Sequence, residues 1–355
     1  MEHRPTGMHG ARPTLSDVAR QAGVSKATAS AALNDTGSVS EATRARVAAA
    51  AEQLNYRPSH HAAGRGAVGA SRVGRSIGVL VKELDNPYFA GVIAGARDYA
   101  RAHGYALLVT TSERDAEAER QAVALLDASD VGGLIVTAVL DERADLSHLF
   151  ELKRRNVPFV LLGEVVGVPA SLVDVDNVGA SRAAVEHLIA RGHRQVVHFA
   201  GPSGSTHAKE RLDGVRRALG AARLAFTDRD VVPAGASLAD GYHAAREYFG
   251  ARRDAASGRP TAVTCYNDLV AIGVCRALAE LGLRVPEDVA VVGFDDIPIL
   301  EYLPVPLTSV RVPTHRMGEV AAELLIRHIE SREPLPPQKV YLDAELIVRR
   351  STESG

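Results

Sequence analysis

From Ser76 onward the chain alternates short apolar runs with amphipathic stretches, and no other feature restricts the fold as much. Ile77–Val81 reads as a strand and Tyr88–His103 as a helix. Ala106–Val109 is a strand, Ala116–Ala128 a helix and Leu134–Val136 a strand again. Phe159–Leu162, Val196–Ala200, Ala262–Cys265 and Val289–Gly293 continue the series, with helical stretches between them. Strands joined through helices run parallel, and a parallel sheet must have both faces covered. About 280 residues are too many for one such sheet, so two doubly wound lobes with a cleft between them are expected.

In open sheets of this kind ligands sit beyond the carboxyl ends of the strands. Asp85-Asn86-Pro87-Tyr88-Phe89 follows the first strand, and the run from Gly201 to Arg211 follows another. Tyr266-Asn267-Asp268 and Phe294-Asp295-Asp296 follow two more. Asn, Arg, Asp and aromatic groups together supply donors, acceptors and an apolar platform, as a polyol or sugar-like ligand requires. Each has a plainer reading alone: Thr206 or Asp268 starts a helix, and Arg211 makes an ion pair within its own helix. Four such loops together favour a pocket.

The first 58 residues follow a different period. Thr14-Leu15-Ser16-Asp17 has the form of a capped helix start, in which the Thr14 hydroxyl accepts from the Asp17 amide. Leu15, Val18, Ala19 and Ala22 recur at helical spacing, and Gly23 supplies the left-handed residue that ends the run. Ser25 caps a second helix from Lys26, with Ala29, Ala32 and Leu33 inward. Ser40 caps a third over Glu41–Leu54, with Val47, Ala50, Ala51 and Leu54 inward. Helix, short Gly-containing turn, helix and supporting helix is the helix-turn-helix plan, whose second helix enters the major groove. Charge points the same way. Residues 1–75 hold ten Lys/Arg against five Asp/Glu, a net of +5 in a chain whose total is −2, so the remainder carries −7. A basic head on an acidic body suits a polyanionic partner for the head alone, although chance could produce the same imbalance.

The run from Thr14 to Ser59 resembles the head of the lactose-repressor (LacI/GalR) family along its whole length. It has the T-L-x-D-V-A opening, A-G-V-S before the second helix, L-N after it, V-S-x-x-T-R-x-R-V and the closing L-N-Y-x-P. The resemblance implies that Ser25, Thr28, Ser30, Asn34, Thr43 and Tyr56 grip phosphates and set register, work that suits small donors near helix starts. It places Lys26, Ala27 and Ala31 opposite base edges. Lys26 is the long donor of the three, suited to guanine O6/N7, while the alanines offer methyl contact. With few strong base contacts, shape and phosphate contacts carry more of the specificity. The body is also similar to the family's effector domain, which resembles the periplasmic sugar-binding proteins; IGVLVKELDNPYF, AKERLDG, CYNDLVAIGV and VPEDVAVVGFDD carry the likeness. By position it implies effector contacts from Asn86, Tyr88, Phe89, His207, Arg211, Asn267 and Asp295, for a sugar or related polar metabolite. Three departures blur the ligand. Gly163, beside Glu164, stands where sugar-binding relatives place an Asp, Ala236 where some have an aromatic platform, and Val312 where some have a polar group.

These readings divide the chain into a disordered lead-in over 1–13, a helix-turn-helix domain over 14–58, a hinge over 59–75 and a two-lobed effector-binding and dimerisation body over 76–350. Lobe 1 is expected over about 76–174 and 314–344, and lobe 2 over about 175–311 and 345–350. The hinge departs from the family, which uses a short helix there to push a Leu into the minor groove. Residues 59–71 contain no Leu, and their glycines disfavour a helix by roughly 1 kcal/mol each. Arg65 falls at the wedge position. Either it enters the groove electrostatically, or Val68 is a weaker wedge in a shifted register, or the kink is lost to a flexible linker.

Other function classes are disfavoured. No apolar run is long enough to span a membrane, and Met1–Pro13 lacks the apolar segment of an export signal, so a cytoplasmic protein is expected. Cys265 and Cys275 form neither a disulfide framework nor a metal cluster. A transport-type binding protein would fit the body but not the basic head. An enzyme is disfavoured by the lack of a phosphate loop, a nucleophile elbow or an H-E-x-x-H motif. Asp295-Asp296 and Asp174/Asp176 are the carboxylate pairs that could do acid–base work, yet adjacent strand residues point to opposite sides and Asp174/Asp176 flank a lobe crossing. The expected partners are two-fold operator DNA, a small effector and a second copy of the chain, with no cofactor. A dimer is favoured over a tethered tetramer, since no leucine heptads follow Arg350.

Overall fold

The computed structural model of the protein describes residues 14–33, 39–54, 75–129, 131–139, 145–252 and 259–353, and divides into two units, Met1–Gly74 and Arg75–Gly355. In the first unit α1 (Leu15–Ala22), α2 (Lys26–Leu33) and α3 (Glu41–Gln53) enclose a small core of Val18, Ala19, Ala22, Ala29, Ala32, Val47, Ala50 and Ala51. Val18 and Val47 are completely buried and hold it most strongly, at about 1.5–3 kcal/mol each. The caps are those expected. The Asp17 amide donates to Thr14 Oγ1 at 3.4 Å, and the Thr14 amide returns a bond to Asp17 Oδ2 at 2.9 Å. Gly23, at φ 66°, ends α1 and lets the Val24 amide reach back to the Ala19 carbonyl at 3.0 Å. Ser25 Oγ accepts from the Thr28 amide at 3.0 Å, and Ser40 Oγ from the Thr43 amide at 3.3 Å.

The second unit holds two six-stranded sheets. The first is formed by β1 (Ser76–Val81), β2 (Ala106–Thr111), β3 (Leu134–Val136), β4 (Phe159–Leu162), β5 (Ser171–Val175) and β11 (Lys339–Leu342). Its spatial order is β11-β5-β4-β3-β1-β2, and every pairing is parallel. The second is formed by β6 (Val196–Ala200), β7 (Val231–Pro233), β8 (Ala262–Cys265), β9 (Ala290–Asp295), β10 (Thr308–Arg311) and β12 (Glu345–Ile347). Its order is β12-β10-β9-β8-β6-β7, parallel except where β12 closes the edge against β10. The chain passes between the sheets three times: after β5, after β10 and after β11.

Period-two alternation explains how each sheet is covered. In β1, Ile77, Val79 and Val81 face α4 (Pro87–Ala102) and α11 (Thr314–Glu330), whereas Leu80 joins the core under α5 (Ala116–Ala128) and α6 (Ser147–Arg154). In β6, Val196 packs with α7 (Asn177–Ala190) and α8 (Thr206–Ala221), and Val197 and Phe199 with α9 (Leu238–Gly250) and α10 (Asp268–Glu280). Three strands run longer than expected, β1 by Ser76 at its start. β2 extends past Val109 through Thr110 and Thr111 because it is a half-exposed edge strand, where polar residues fit. β9 starts one residue late and ends at Asp295 rather than Gly293, so the carboxylate belongs to the strand end itself.

The topology fixes where a ligand fits. In the first sheet β1 has β2 on one side and β3 on the other; in the second β6 lies likewise between β7 and β8. Chain direction around the sheet reverses at these points, leaving a crevice at the carboxyl ends.

Candidate ligand cleft and nucleic-acid face

A cavity of about 210 Å³ lies at the carboxyl ends of both sheets, and every effector residue expected from sequence lines it: Asn86, Tyr88, Phe89, His207, Arg211, Asn267 and Asp295. The first lobe contributes the β1–α4 loop. Asn86 caps α4 by accepting from the Tyr88 amide at 3.1 Å, while its Nδ2 donates to Glu83 Oε1 at 3.1 Å. Tyr88 and Phe89 meet edge to face at 5.1 Å, and the Tyr88 hydroxyl donates to Met317 Sδ at 3.7 Å. Burial, reinforced by Asp295 and Asp174, raises the Tyr88 phenol, so it stays neutral and acts as a donor.

The second lobe contributes three strand ends. Asn267 caps α10, accepting from the Val270 amide at 2.9 Å, and Nδ2 donates to the Ala236 carbonyl at 3.0 Å. Asn86 and Asn267 thus cap helices and line the cleft at once. Arg211 does not pair within its helix. It is buried, with Nε donating to Asn177 Oδ1 at 3.0 Å and Nη1 donating to the Tyr266 carbonyl at 2.5 Å. Its guanidinium lies 3.6 Å from the Phe294 ring centroid and 5.0 Å from that of Tyr266, with Asp295 Oδ1 3.6 Å away. Burial pushes the Asp295 carboxyl up to about 7, against the opposing pull of Arg211 and His207. Asp295 and Asp296 sit at φ 114° and 57°, conformations that non-glycine residues adopt only under constraint from their surroundings. Their side chains diverge: Asp295 lines the cavity, whereas Asp296, one residue past β9, pairs with Arg311 at 2.7 Å and Arg349 at 2.6 Å outside the lining.

The lobes meet directly beside this cluster. His207 Nε2, on α8, lies 3.0 Å from Asp174 Oδ2, on β5. Burial alone would raise the Asp174 carboxyl, but the His207 charge and hydrogen bond, the Val175 amide and Arg211 outweigh it and hold the group below its usual value. Asp176 caps α7, its Oδ1 accepting from the Gly179 amide at 2.8 Å. Gly163 is at φ 99°, and a Cβ there would lie 2.6 Å from His207 Nε2, so a bare glycine makes room for the His207–Asp174 pair. Glu164 pairs instead with Lys339 at 2.6 Å. Ala236 lines the cleft, its carbonyl accepting from Asn267, and Val312 is buried outside the lining. Asp268 is wholly buried; Oδ1 accepts from Ser309 Oγ at 2.6 Å and Oδ2 from the Ile297 amide at 2.9 Å, while burial and then Asp295 push its carboxyl well up. Ser205 and Tyr266, from two of the strand-end runs singled out in the sequence, also line the cavity, and so do Lys82, Glu83, Arg114 and Thr137, which were not expected. Among the described residues, no group of three or more His, Cys, Asp or Glu could hold a metal ion.

In the head, Ser25, Lys26 and Ala27 are exposed at the start of α2, and Thr28, Ser30 and Ala31 are half-buried along it. The Ser25 and Thr28 hydroxyls are 2.8 Å apart, and those of Ser40 and Thr43 2.9 Å. Two helix N-termini with hydroxyl pairs are therefore available to anions. Asn34, Tyr56 and Arg65, together with residues 59–74 of the expected hinge, lie outside the described residues.

Comparison with known proteins agrees with both parts. Residues 14–59 match the family described as bacterial regulatory proteins, lacI family, and residues 185–352 match the periplasmic binding protein-like domain. The HTH-type transcriptional repressor PurR of Photobacterium profundum is 31% identical over 347 residues, covering 96% of this chain and 98% of the relative. Among solved structures, the transcriptional regulator CelR–cellobiose complex superposes with a TM-score of 0.70 at 33% identity, covering 96% of this chain and 100% of the other. The lac repressor dimer bound to operator and the anti-inducer ONPF gives 0.69 at 28% identity, with 97% and 100% covered.

Proposed function

The chain belongs to the lacI family of bacterial regulatory proteins, and from that premise we propose that it is a cytoplasmic transcriptional repressor, not an enzyme, whose hold on operator DNA is set by a small hydroxyl-rich effector in the cleft. The observation that carries this is a head of helix-turn-helix form in one chain with a cleft where Arg211, Asn267 and Asp295 of one lobe face Asn86 and Tyr88 of the other. The proposed organisation is a DNA-binding domain over 14–58, a hinge over 59–75 and an effector-binding and dimerisation body over 76–350. Two copies would hold two heads over a two-fold site.

In this reading Ser25, Thr28, Ser30, Asn34, Thr43 and Tyr56 hold phosphates while Lys26, Ala27 and Ala31 face the bases; Arg65 is assigned to the minor groove. In the cleft, Arg211 offers fixed donors and Asp295 an acceptor that becomes fully charged only above about pH 7. Asn267 and His207 add groups of either kind, and Tyr88 and Phe89 an apolar wall. Effector contacts come from both lobes, so binding favours one lobe angle over another, and the head spacing follows that angle. Of the four carboxylates that invite a catalytic reading, Asp296 is engaged by two arginines, Asp174 by His207 and Asp176 by a helix cap, while Asp295 faces the cleft with Arg211 3.6 Å away and serves in this reading as an effector contact. No helix among the described residues is long and apolar enough to cross a membrane.

The test is to select bound operator from genomic fragments with the full-length protein. Cellobiose and the metabolites of neighbouring genes are then titrated against that complex. A saturable shift in operator affinity that Arg211→Met abolishes supports the reading. Failure of every compound to shift operator affinity, when the protein binds some of them, would contradict it.

A further inference from the structure

A second cross-lobe contact sits in the cleft, away from His207 and Asp174. Glu83 follows β1 and Arg114 follows β2, so both belong to the first lobe, and both line the cavity. Arg114 Nε lies 2.5 Å from Glu83 Oε2 and Nη2 donates to Oε1 at 2.5 Å, a two-pronged pair. Asn86 Nδ2 donates to the same Oε1 at 3.1 Å. Glu113 and Arg114 are consecutive non-glycine residues at φ 47° and 61°. Strained backbone of this kind persists only where the surroundings enforce it, and it concentrates at functional sites. Here it turns the Arg114 side chain off the sheet edge and over the cleft.

What Arg114 reaches is the opposite lobe. Nη2 lies 3.5 Å from the Ala236 carbonyl, in the segment leading into α9. That carbonyl already accepts from Asn267 at 3.0 Å and has a second lone pair to give. Asp240, in the first turn of α9, attracts Arg114 from the same side, while its own Oδ2 holds the amides of Ala236 and Ser237 at 3.2 and 3.0 Å. At 3.5 Å the Ala236 contact is at the outer limit of a hydrogen bond, so a small closing motion would shorten it to full strength.

We propose that Arg114, seated on Glu83, is a positioning residue of the cleft: a clasp that fastens the first lobe to the Ala236–Asp240 segment of the second and sets how far the outer wall stands open. The name effector cleft rests on the function proposed above, but the clasp does not, and it is tested with no ligand present. Hydrogen–deuterium exchange is compared for full-length wild type, Arg114→Ala, Arg114→Lys and Glu83→Gln. Loss of the clasp speeds exchange of amides 234–241 about two- to fivefold in Arg114→Ala and Glu83→Gln, while β8 in the core of that lobe is unchanged. Arg114→Lys, which keeps the charge facing Asp240 but not the fork, falls between. Faster exchange confined to residues 82–86 and 112–116 would make Arg114 a structural residue of its own lobe and overturn the proposal. Should Arg114→Ala fail to fold, Glu83→Gln alone decides the matter: unchanged exchange at 234–241 refutes the clasp.

Discussion

Replacing Asp295 by Asn should remove a pH-dependent cost from the folded state, and its size follows from the site. The carboxyl is 7% exposed, and burial raises it from 3.8 to about 7. Below pH 3.8 the group is protonated folded or unfolded and costs nothing. Between the two values the unfolded chain releases its proton while the folded chain keeps it, so rising pH favours unfolding. Above about 7 the cost is constant. At 1.36 kcal/mol per pH unit of pKa difference, wild type loses about 2–3 kcal/mol from this group between pH 5 and pH 8. The Asn variant lacks that loss. Asp268, also pushed upward and partly by Asp295, is relieved of that push in the variant, which moves the difference in the same direction. Urea unfolding of each protein, followed by circular dichroism because the chain has no Trp, measures the difference at both pH values. The stability of the variant relative to wild type should rise with pH by that amount. A difference that is flat from pH 5 to pH 8, or falls, refutes the argument that burial outweighs Arg211 at this carboxyl.

Lys26→Ala should cost about 1–3 kcal/mol of operator binding and relax discrimination at one base pair, read by anisotropy against operator variants; an equal loss on every sequence would put Lys26 on phosphate instead. Gly163→Ala forces a Cβ toward His207 at a positive φ, so it should cost about 1–3 kcal/mol and lower the thermal midpoint. An unchanged midpoint would show that His207 shifts freely. Residues 59–71 of the hinge hold no Leu to wedge between base pairs, so a phased-operator mobility assay should show a smaller bend than a relative with that Leu produces. An equal bend would assign the wedge to Arg65 or Val68.

The head was legible because its signals are local. Thr14 with Asp17, Gly23, Ser25 and Ser40 each act within four residues of themselves, so their pattern survives in the linear sequence. The cleft was legible at one remove, since residues at strand ends converge wherever parallel strands lie side by side. What those residues touch was not legible. Arg211 finds Asn177, Tyr266, Phe294 and Asp295 on three other stretches of chain, and the His207–Asp174 pair depends on how the lobes meet. Arg114 was missed for a definite reason. The apolar pattern of β2 fades at Val109, so Ser112–Asp115 did not read as a strand end although the strand continues to Thr111. Extending the strand-end rule to half-exposed edge strands would have found it; Glu83 follows the buried strand β1 and sits two residues before the run that starts at Asp85.

The measurement that bears most directly on the whole account compares the purified full-length protein on its selected two-fold site and on a scrambled duplex of equal length, at a fixed salt of roughly 0.15 M. If α2 enters the major groove as its exposed Ser25-Lys26-Ala27 start suggests, the two-fold site binds at least about 10³-fold more tightly. Equal affinity for both duplexes would mean that the head holds only phosphates, and that nothing in the cleft controls a sequence-specific switch.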